Sequence, residues 1–139
     1  MLIKPLLDPE SRTATVAGSS SVDCRGFTRA ILQLHIGSHD RTTGDETLDV
    51  KLQESSDDGV GDAFADVSGG AFTQIAAQVP NAARGSVYLM AIDLSKRERY
   101  LRVYCTAAGT TPIDLYAVSI ILLNPEQEPP SQDFTVISV

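Results

Sequence analysis

The sequence predicts an all-β fold: an antiparallel β-sandwich of seven to eight strands, jelly-roll or Greek-key-like, with an extended arm at each end. Three observations predict it. Apolar residues recur with period two along most of the chain, the spacing that sends alternate side chains to one face of a pleated strand. Turn-forming clusters recur about every 8–12 residues, the interval found in stacked antiparallel sheets. No stretch long enough for a crossover helix carries helical spacing, which argues against a parallel α/β sheet. The 139 residues, 42% apolar and 21% charged, suit one globular domain and exclude a disordered or collagen-like chain. A chain of 14.9 kDa buries roughly two-thirds of its unfolded surface, so a core can form without metals or disulfides. No internal repeat is evident.

Residues 1–11 read as an N-terminal arm, because Pro5 and Pro9 each remove a ladder donor and keep the preceding residue extended. The same stretch has one Lys and no small-residue cleavage site, and so does not read as a signal peptide. The sandwich is assigned to residues 12–124. Thr13–Cys24, interrupted by Gly18, reads as a short edge strand or two fragments. Phe27–Ile36 puts Leu32, Leu34 and Ile36 on one face and Ile31, Gln33 and His35 on the other, bracketed by Gly26 and Gly37. Leu48, Val50 and Leu52 alternate with Asp49, Lys51 and Gln53, the cleanest half-buried strand. The turn Ser55–Asp62 then returns the chain through Phe64–Val67 as a hairpin.

Gly69-Gly70 reads as a further turn before a short strand at Ala71–Ile75. Gln74–Arg84, with Pro80, has room for no more than a helical turn. Ser86–Leu94 is apolar on both faces, as a central strand is. Ser95–Glu98 reads as a tight polar turn leading into Tyr100–Thr106, where Leu101, Val103 and Cys105 alternate with Tyr100, Arg102 and Tyr104. Ile113–Leu123 is a long strand, apolar on both sides. Its positions Tyr116, Val118, Ile120 and Leu122 are read as outward ones that need cover from a dimer or trimer partner or from the protein's own arm. Residues 125–139 form a Pro-rich C-terminal arm ending in the apolar peptide FTVISV.

The net charge of −7 has a local origin. Between Asp40 and Asp66 lie nine acids and two bases, which carry the whole imbalance. Such a surface repels phosphate backbones, so nucleic acid is not an expected partner. The acidic hairpin residues Asp57, Asp58, Asp62 and Asp66 are read as either a solvated edge or a docking patch for a basic neighbour. The bases Lys96, Arg97, Arg99 and Arg102 lack interleaved aromatic platforms and read as a polar connection followed by an exposed strand face. No run approaches the ~18 apolar residues of a membrane helix, so no membrane partner is expected.

Sites for chemistry are sparse. Cys24 and Cys105 belong to no CxxC pair; they are read as buried free thiols, with a disulfide left open. His35, His39 and Asp40 straddle Gly37 in a strand pattern, a poor metal-ligand geometry. Asp57–Asp62 resembles a calcium loop but lacks its ligand order and closing Glu. There is no GxSxG elbow, Walker loop or GxGxxG motif, so no enzyme, no catalytic residue, no metal and no cofactor is expected. With no Trp and few aromatics, stacking platforms for sugars are scarce, although Tyr88, Tyr100, Tyr104 and Tyr116 could line a carbohydrate pocket.

The arms carry the apolar residues Met1, Leu2, Ile3, Leu6 and Leu7 at one end and Phe134, Val136, Ile137 and Val139 at the other. Arms of this composition add strands to a neighbour's sheet edge, and these residues, Met1 excepted, are the candidate partner-binding set. The stretches TLDVKLQESSDDG, FADVSGGAFTQI and KRERYLRVYCTAAGTT, followed by a final apolar strand ending in NP, resemble a group of small tailed-bacteriophage virion proteins. The resemblance covers roughly Phe27–Pro125 and neither arm. It implies a β-sandwich structural protein of the head, a capsid decoration or cement protein without catalytic residues. The implied partners are the major capsid protein or other virion proteins, with a homo-oligomer possible, and the implied location is the virion, assembled in the bacterial host cytoplasm. A tail, collar or baseplate component and a carbohydrate-binding module are the alternatives.

Overall fold

Alternation in the sequence becomes alternation in burial. In the computed structural model, residues 1–13, 15–16, 18–40, 47–72, 85–110 and 113–125 are described, with backbone alone for 38–40, 113–114 and 125. Eight strands form among them: β1 (Leu2–Arg12), β2 (Val22–Asp23), β3 (Phe27–Asp40), β4 (Thr47–Ser55), β5 (Ala65–Phe72), β6 (Val87–Asp93), β7 (Tyr100–Ala108) and β8 (Ile113–Pro125). They make two four-stranded antiparallel sheets, in the orders β1-β8-β3-β6 and β2-β7-β4-β5. The pairs 4–5, 3–6, 2–7 and 1–8 nest one outside the next, so the chain is one long hairpin rolled up on itself. This is the jelly-roll arrangement of two Greek keys.

The core lies between the sheets. Leu32, Leu34, Ile120 and Leu122 from the first sheet face Leu48, Val50, Leu52, Leu101 and Val103 from the second, all with almost no solvent exposure. Burial of each such side chain contributes about 1.5–3 kcal/mol. The β4–β5 hairpin turns at residues 56–64, and its partners Gln53–Asp66 and Glu54–Ala65 lie where the sequence places them.

Several strands differ from expectation, each for a physical reason. Residues 2–12 are the first strand of the sandwich: Leu2, Ile3 and Lys4 pair with Leu122, Ile121 and Ile120, and register shifts follow Pro5 and Leu7. Both prolines fit because β1 is an edge strand, whose outer side needs no donors. The Thr13–Cys24 stretch supplies two fragments, a bridge between Val16 and Cys105 and the short β2.

Gly37 sits inside β3, not at its end. A Cβ there would lie 2.7 Å from Leu115 Cδ2, at the register shift between Ile36 and His39. The Gly69-Gly70 pair makes a bulge within β5, where Val67–Gly70 stand opposite Leu52 alone. Gly69 takes φ +73 there, a conformation open to glycine without strain. The polar turn expected at Ser95–Glu98 begins one residue earlier as a 3-10 turn, Leu94–Lys96, whose start is capped by Asp93 accepting from Ser95 N. The 73–84 segment lies outside the described residues.

Two assignments reverse. The Ser86–Leu94 strand is not central: β6 is the outer edge of the first sheet. In β8, Tyr116, Val118, Ile120 and Leu122 face the core, and Leu115, Ala117, Ser119, Ile121 and Leu123 form the outward set. Replacing Leu32 by Ala should therefore cost about 2–5 kcal/mol of folding stability. The adjacent Ile31→Ala should cost about 1 kcal/mol or less, because its side chain faces outward. Urea denaturation of both variants checks this, and equal losses would contradict the facing.

Candidate protein-docking surface

The two sheets present outer faces of opposite character. On the second sheet, Asp49, Lys51, Gln53, Asp66, Arg102 and Tyr104 point outward and are tied to one another. Lys51 Nζ donates to Asp66 Oδ2 at 2.7 Å, Gln53 Nε2 donates to Asp66 Oδ1 at 2.8 Å, and Arg102 Nε donates to Gln53 Oε1 at 2.9 Å. The Arg102 guanidinium also lies 4.1 Å from the Phe64 ring centre.

The first sheet is dry by comparison. Pairing aligns Ile3, Ile121, Ile31 and Ala91 in one row across all four strands, and Pro5, Ser119, Gln33 and Leu89 in the next. Beside them lie Ala117 with His35 and Val87, and Leu123 with Arg29 and Asp93. Leu89 is 63% exposed, Val87 50% and Ile3 43%. The row Ile3–Ile121–Ile31–Ala91 is apolar throughout, and Ser119, Gln33 and His35 interrupt the rows beside it.

The acidic hairpin is built differently from a free docking patch. Asp57 accepts the backbone N–H groups of Val60, Gly61 and Asp62 at 3.1, 2.6 and 3.0 Å, closing the turn on itself. Asp62 accepts from Ser56 N and Oγ at 2.8 and 2.9 Å, Asp58 accepts from Ser21 Oγ, and Asp66 holds Lys51 and Gln53. Beneath the loop, the buried Ser55 hydroxyl donates to Asp62 O at 2.7 Å and accepts from Gly59 N at 2.8 Å. The backbone N–H groups of Val60, Gly61 and Asp62 thus answer the Asp57 carboxylate from within the turn. The hydroxyl of Ser55 was invisible in sequence, because Ser55 shares the parity of the outward residues Asp49, Lys51 and Gln53 and is buried only beneath the turn that it bonds.

The basic cluster is similarly engaged. Arg99 grips Asp23 with two bonds of 3.1 and 2.6 Å, Arg97 reaches Glu54 at 3.2 Å, and Lys96 lies 3.6 Å from Asp93. Arg12 donates to three backbone carbonyls, Glu10, Tyr116 and Asp8, and stacks 4.9 Å over the Tyr116 ring.

Of the N-terminal partner-binding set, Leu6 is in the core, Leu2 and Leu7 pack against it, and Ile3 stands on the outer face. Phe134, Val136, Ile137 and Val139 lie outside the described residues. The tyrosines do not converge: Tyr116 is in the core, Tyr88 packs at 6.0 Å from Phe72, and Tyr100 and Tyr104 belong to the second sheet. His35 is exposed on the outer face, and the side chains of His39 and Asp40 lie outside the described residues. Among the described residues, no group of three or more His, Cys, Asp or Glu is placed to hold a metal ion. A scan against protein-family models finds no match, and no curated protein matches the chain.

Electrostatics follows these bonds. Asp57 is held below the usual carboxylate range by the N–H groups of Asp62 and Gly61, Asp62 by Ser56, Asp66 by Lys51, Asp23 by Arg99 and Asp93 by Ser95. Glu98 is pushed up by partial desolvation and then by Asp62. The unfolded carboxylates titrate near ~3.9, above their lowered native values, so at falling pH the unfolded chain takes up protons first. Stability should be flat between pH 7 and about 5 and fall below about pH 4, with Glu98 offsetting a small part. Urea midpoints across that range test it, and a stability that rises on acidification would contradict it.

Cys24 and Cys105 are buried and unbridged. Burial pushes their thiols up to about 12 and about 11, partly opposed at Cys105 by a hydrogen bond with Tyr116. Because the thiolate is the reactive form, iodoacetamide at pH 8 should add to neither in the native protein and to both in denaturant, read by intact mass.

Proposed function

We propose that this protein is a non-enzymatic structural component of a tailed-phage virion, a decoration or cement protein that binds the outer head shell and bridges neighbouring capsid subunits. The observation that carries the reading is the asymmetry of the sandwich. The row Ile3–Ile121–Ile31–Ala91, with exposed Leu89 and Val87 in the rows beyond it, offers an apolar stretch of surface, and the charged sheet and tethered acidic hairpin lie opposite. A protein seated on a shell needs this polarity, one face desolvated by the partner and the other kept in water. The sequence resemblance to small virion proteins supports the same reading.

Stabilisation would come through mass action. A protein that binds only the assembled shell lowers its free energy by RT ln(1 + [L]/Kd) at each site. Repetition over many sites makes a modest affinity at each one sufficient.

Purified capsids should carry the protein at fixed stoichiometry. Ile121→Asp and Leu89→Asp, on the outer face, should leave folding intact and reduce occupancy about tenfold or more, as should deletion of residues 126–139. Unchanged occupancy in all three variants would overturn the reading. Cryo-electron microscopy of intact particles separates a head site from a tail, collar or baseplate site.

A further inference from the structure

Sheet edges in a sandwich normally carry devices that prevent pairing with another chain. Three of the four edges here have them: Pro5, Pro9 and two register shifts in β1, the Val67–Gly70 bulge in β5, and the two-residue length of β2. The fourth edge, β6, is regular over seven residues and has neither proline nor a basic residue. Among the described residues, only β3 pairs with it.

The start of β6 fixes which of its backbone groups face away from β3. Gly85, with φ +75, donates to Ile36 O, and Ile36 N donates to Ser86 O, the pattern of a glycine bulge. Alternation from that pair gives the N–H and C=O groups of Tyr88, Met90 and Ile92 to β3, and turns those of Val87, Leu89 and Ala91 to the other side. The bulge at Gly85 and the 3-10 turn capped by Asp93 bracket this run, and its midpoint is Leu89.

We propose that β6 pairs with the β6 of a second copy, antiparallel about a two-fold axis at Leu89, so that the first sheets of two protomers join into one sheet. A two-fold contact has to be complementary to itself, and this edge is. With Leu89 opposite the partner's Leu89, Val87 meets the partner's Ala91 and Ala91 meets the partner's Val87. Every outward N–H and C=O of the three residues then finds a mate. On the outer face a large side chain meets a small one on either side of the axis, and the pairing covers Leu89 and Val87, which are 63% and 50% exposed. On the inner face Tyr88, 6.0 Å from the Phe72 ring, falls opposite the partner's Met90, an aromatic–thioether contact.

Charge selects the same edge. Each copy carries −7, and two such copies approach most readily where acids are absent. Asp57, Asp62 and Asp66 belong to the hairpin and the second sheet. The one charged residue of β6 is Asp93 at its end, where Ser95 donates to it at 2.7 Å and Lys96 lies 3.6 Å away. In the paired register Asp93 lies opposite the partner's Gly85, so no like charges meet.

Area sets the strength of the contact. A seven-residue edge is ~24 Å long and one sheet layer ~10 Å thick, so the contact covers roughly 240 Å² per copy, well below the ~800 Å² per partner of a stable complex. The dimer is therefore weak and reversible, and main-chain hydrogen bonds fix its register.

Sedimentation of the isolated full-length protein tests this. The mass should rise from that of a monomer toward twice that value as concentration reaches about 300 µM. The amides of Leu89 and Ala91 should become protected from hydrogen exchange over the same range. Leu89→Lys sets like charges opposite each other at the axis and should weaken the dimer about tenfold or more, with folding checked by circular dichroism. The register has its own readout. Val87→Cys and Ala91→Cys chains, mixed and oxidised with copper–phenanthroline, should form the mixed disulfide. Neither should cross-link alone, because its two copies would lie about 13 Å apart, beyond disulfide reach. The native Cys24 and Cys105 are buried and do not compete. A monomer at all concentrations, a dimer untouched by Leu89→Lys, or equal cross-linking of like and unlike pairs would overturn the proposal. Protection of Leu89 and Ala91 that is independent of concentration would also overturn it, in favour of an edge filled by the chain itself. No capsid takes part, so either result is separate from whether the protein seats on a shell.

Discussion

Burial of one apolar stripe per sheet is the constraint on which the rest of the structure depends. Leu32, Leu34, Ile120 and Leu122 have to meet Leu48, Val50, Leu101 and Val103, and all are essentially solvent-free. A slip of one residue in any of these strands would turn its whole apolar set outward. The bulges therefore fall outside this central block. The shifts in β1 follow Pro5 and Leu7, the one in β3 follows Ile36, and the one in β5 lies beside Lys51. Each absorbs a local mismatch at a rim or an edge, and the inward parity of the core strands is preserved.

With the core fixed, the charge pattern has few places to go. The acidic excess gathers on the second sheet and its hairpin, where Asp57, Asp62 and Asp66 are spent on backbone N–H groups, serine, lysine and glutamine. The result is a polar, wet face whose carboxylates are answered by neighbouring donors. The first sheet keeps charges mainly at its ends, Arg29 and Asp93 at one of them, and leaves its middle apolar. Two faces of one sandwich thus carry different solvation costs, and this difference gives the molecule an orientation relative to any surface it meets.

Much of the fold was legible in the sequence, and the remainder was illegible for definable reasons. The β4 stripe Leu48, Val50, Leu52 and the β7 stripe Leu101, Val103, Cys105 were readable because each alternates with polar residues. In β8 both parities are apolar, so composition held no information about which one faces inward; its neighbours β1 and β3 decide that. The same ambiguity made β6 look central, because exposed Val87 and Leu89 mimic a buried strand. Gly69-Gly70 reads equally well as a turn or as a bulge, and only the pairing of Ala71 with Lys51 distinguishes them. Pro5 and Pro9 pointed to an arm, although an edge strand tolerates proline as well. The outer apolar face was not readable because it is made of residues from four strands that are distant in sequence.

The nesting of the strands has a consequence for how the chain is made. Among the described residues β1 pairs only with β8, so Leu2 waits for Leu122. During synthesis the innermost hairpin, β4 with β5, can close early, and the pairs 3–6, 2–7 and 1–8 wrap around it in turn as more chain emerges. Contacts so remote in sequence close slowly. Until the ribosome has released the last strand, the first one remains an unpaired, partly apolar ribbon. Such a nascent ribbon is a natural target for cellular holdases, and its capture by β8 is the event that completes the first sheet.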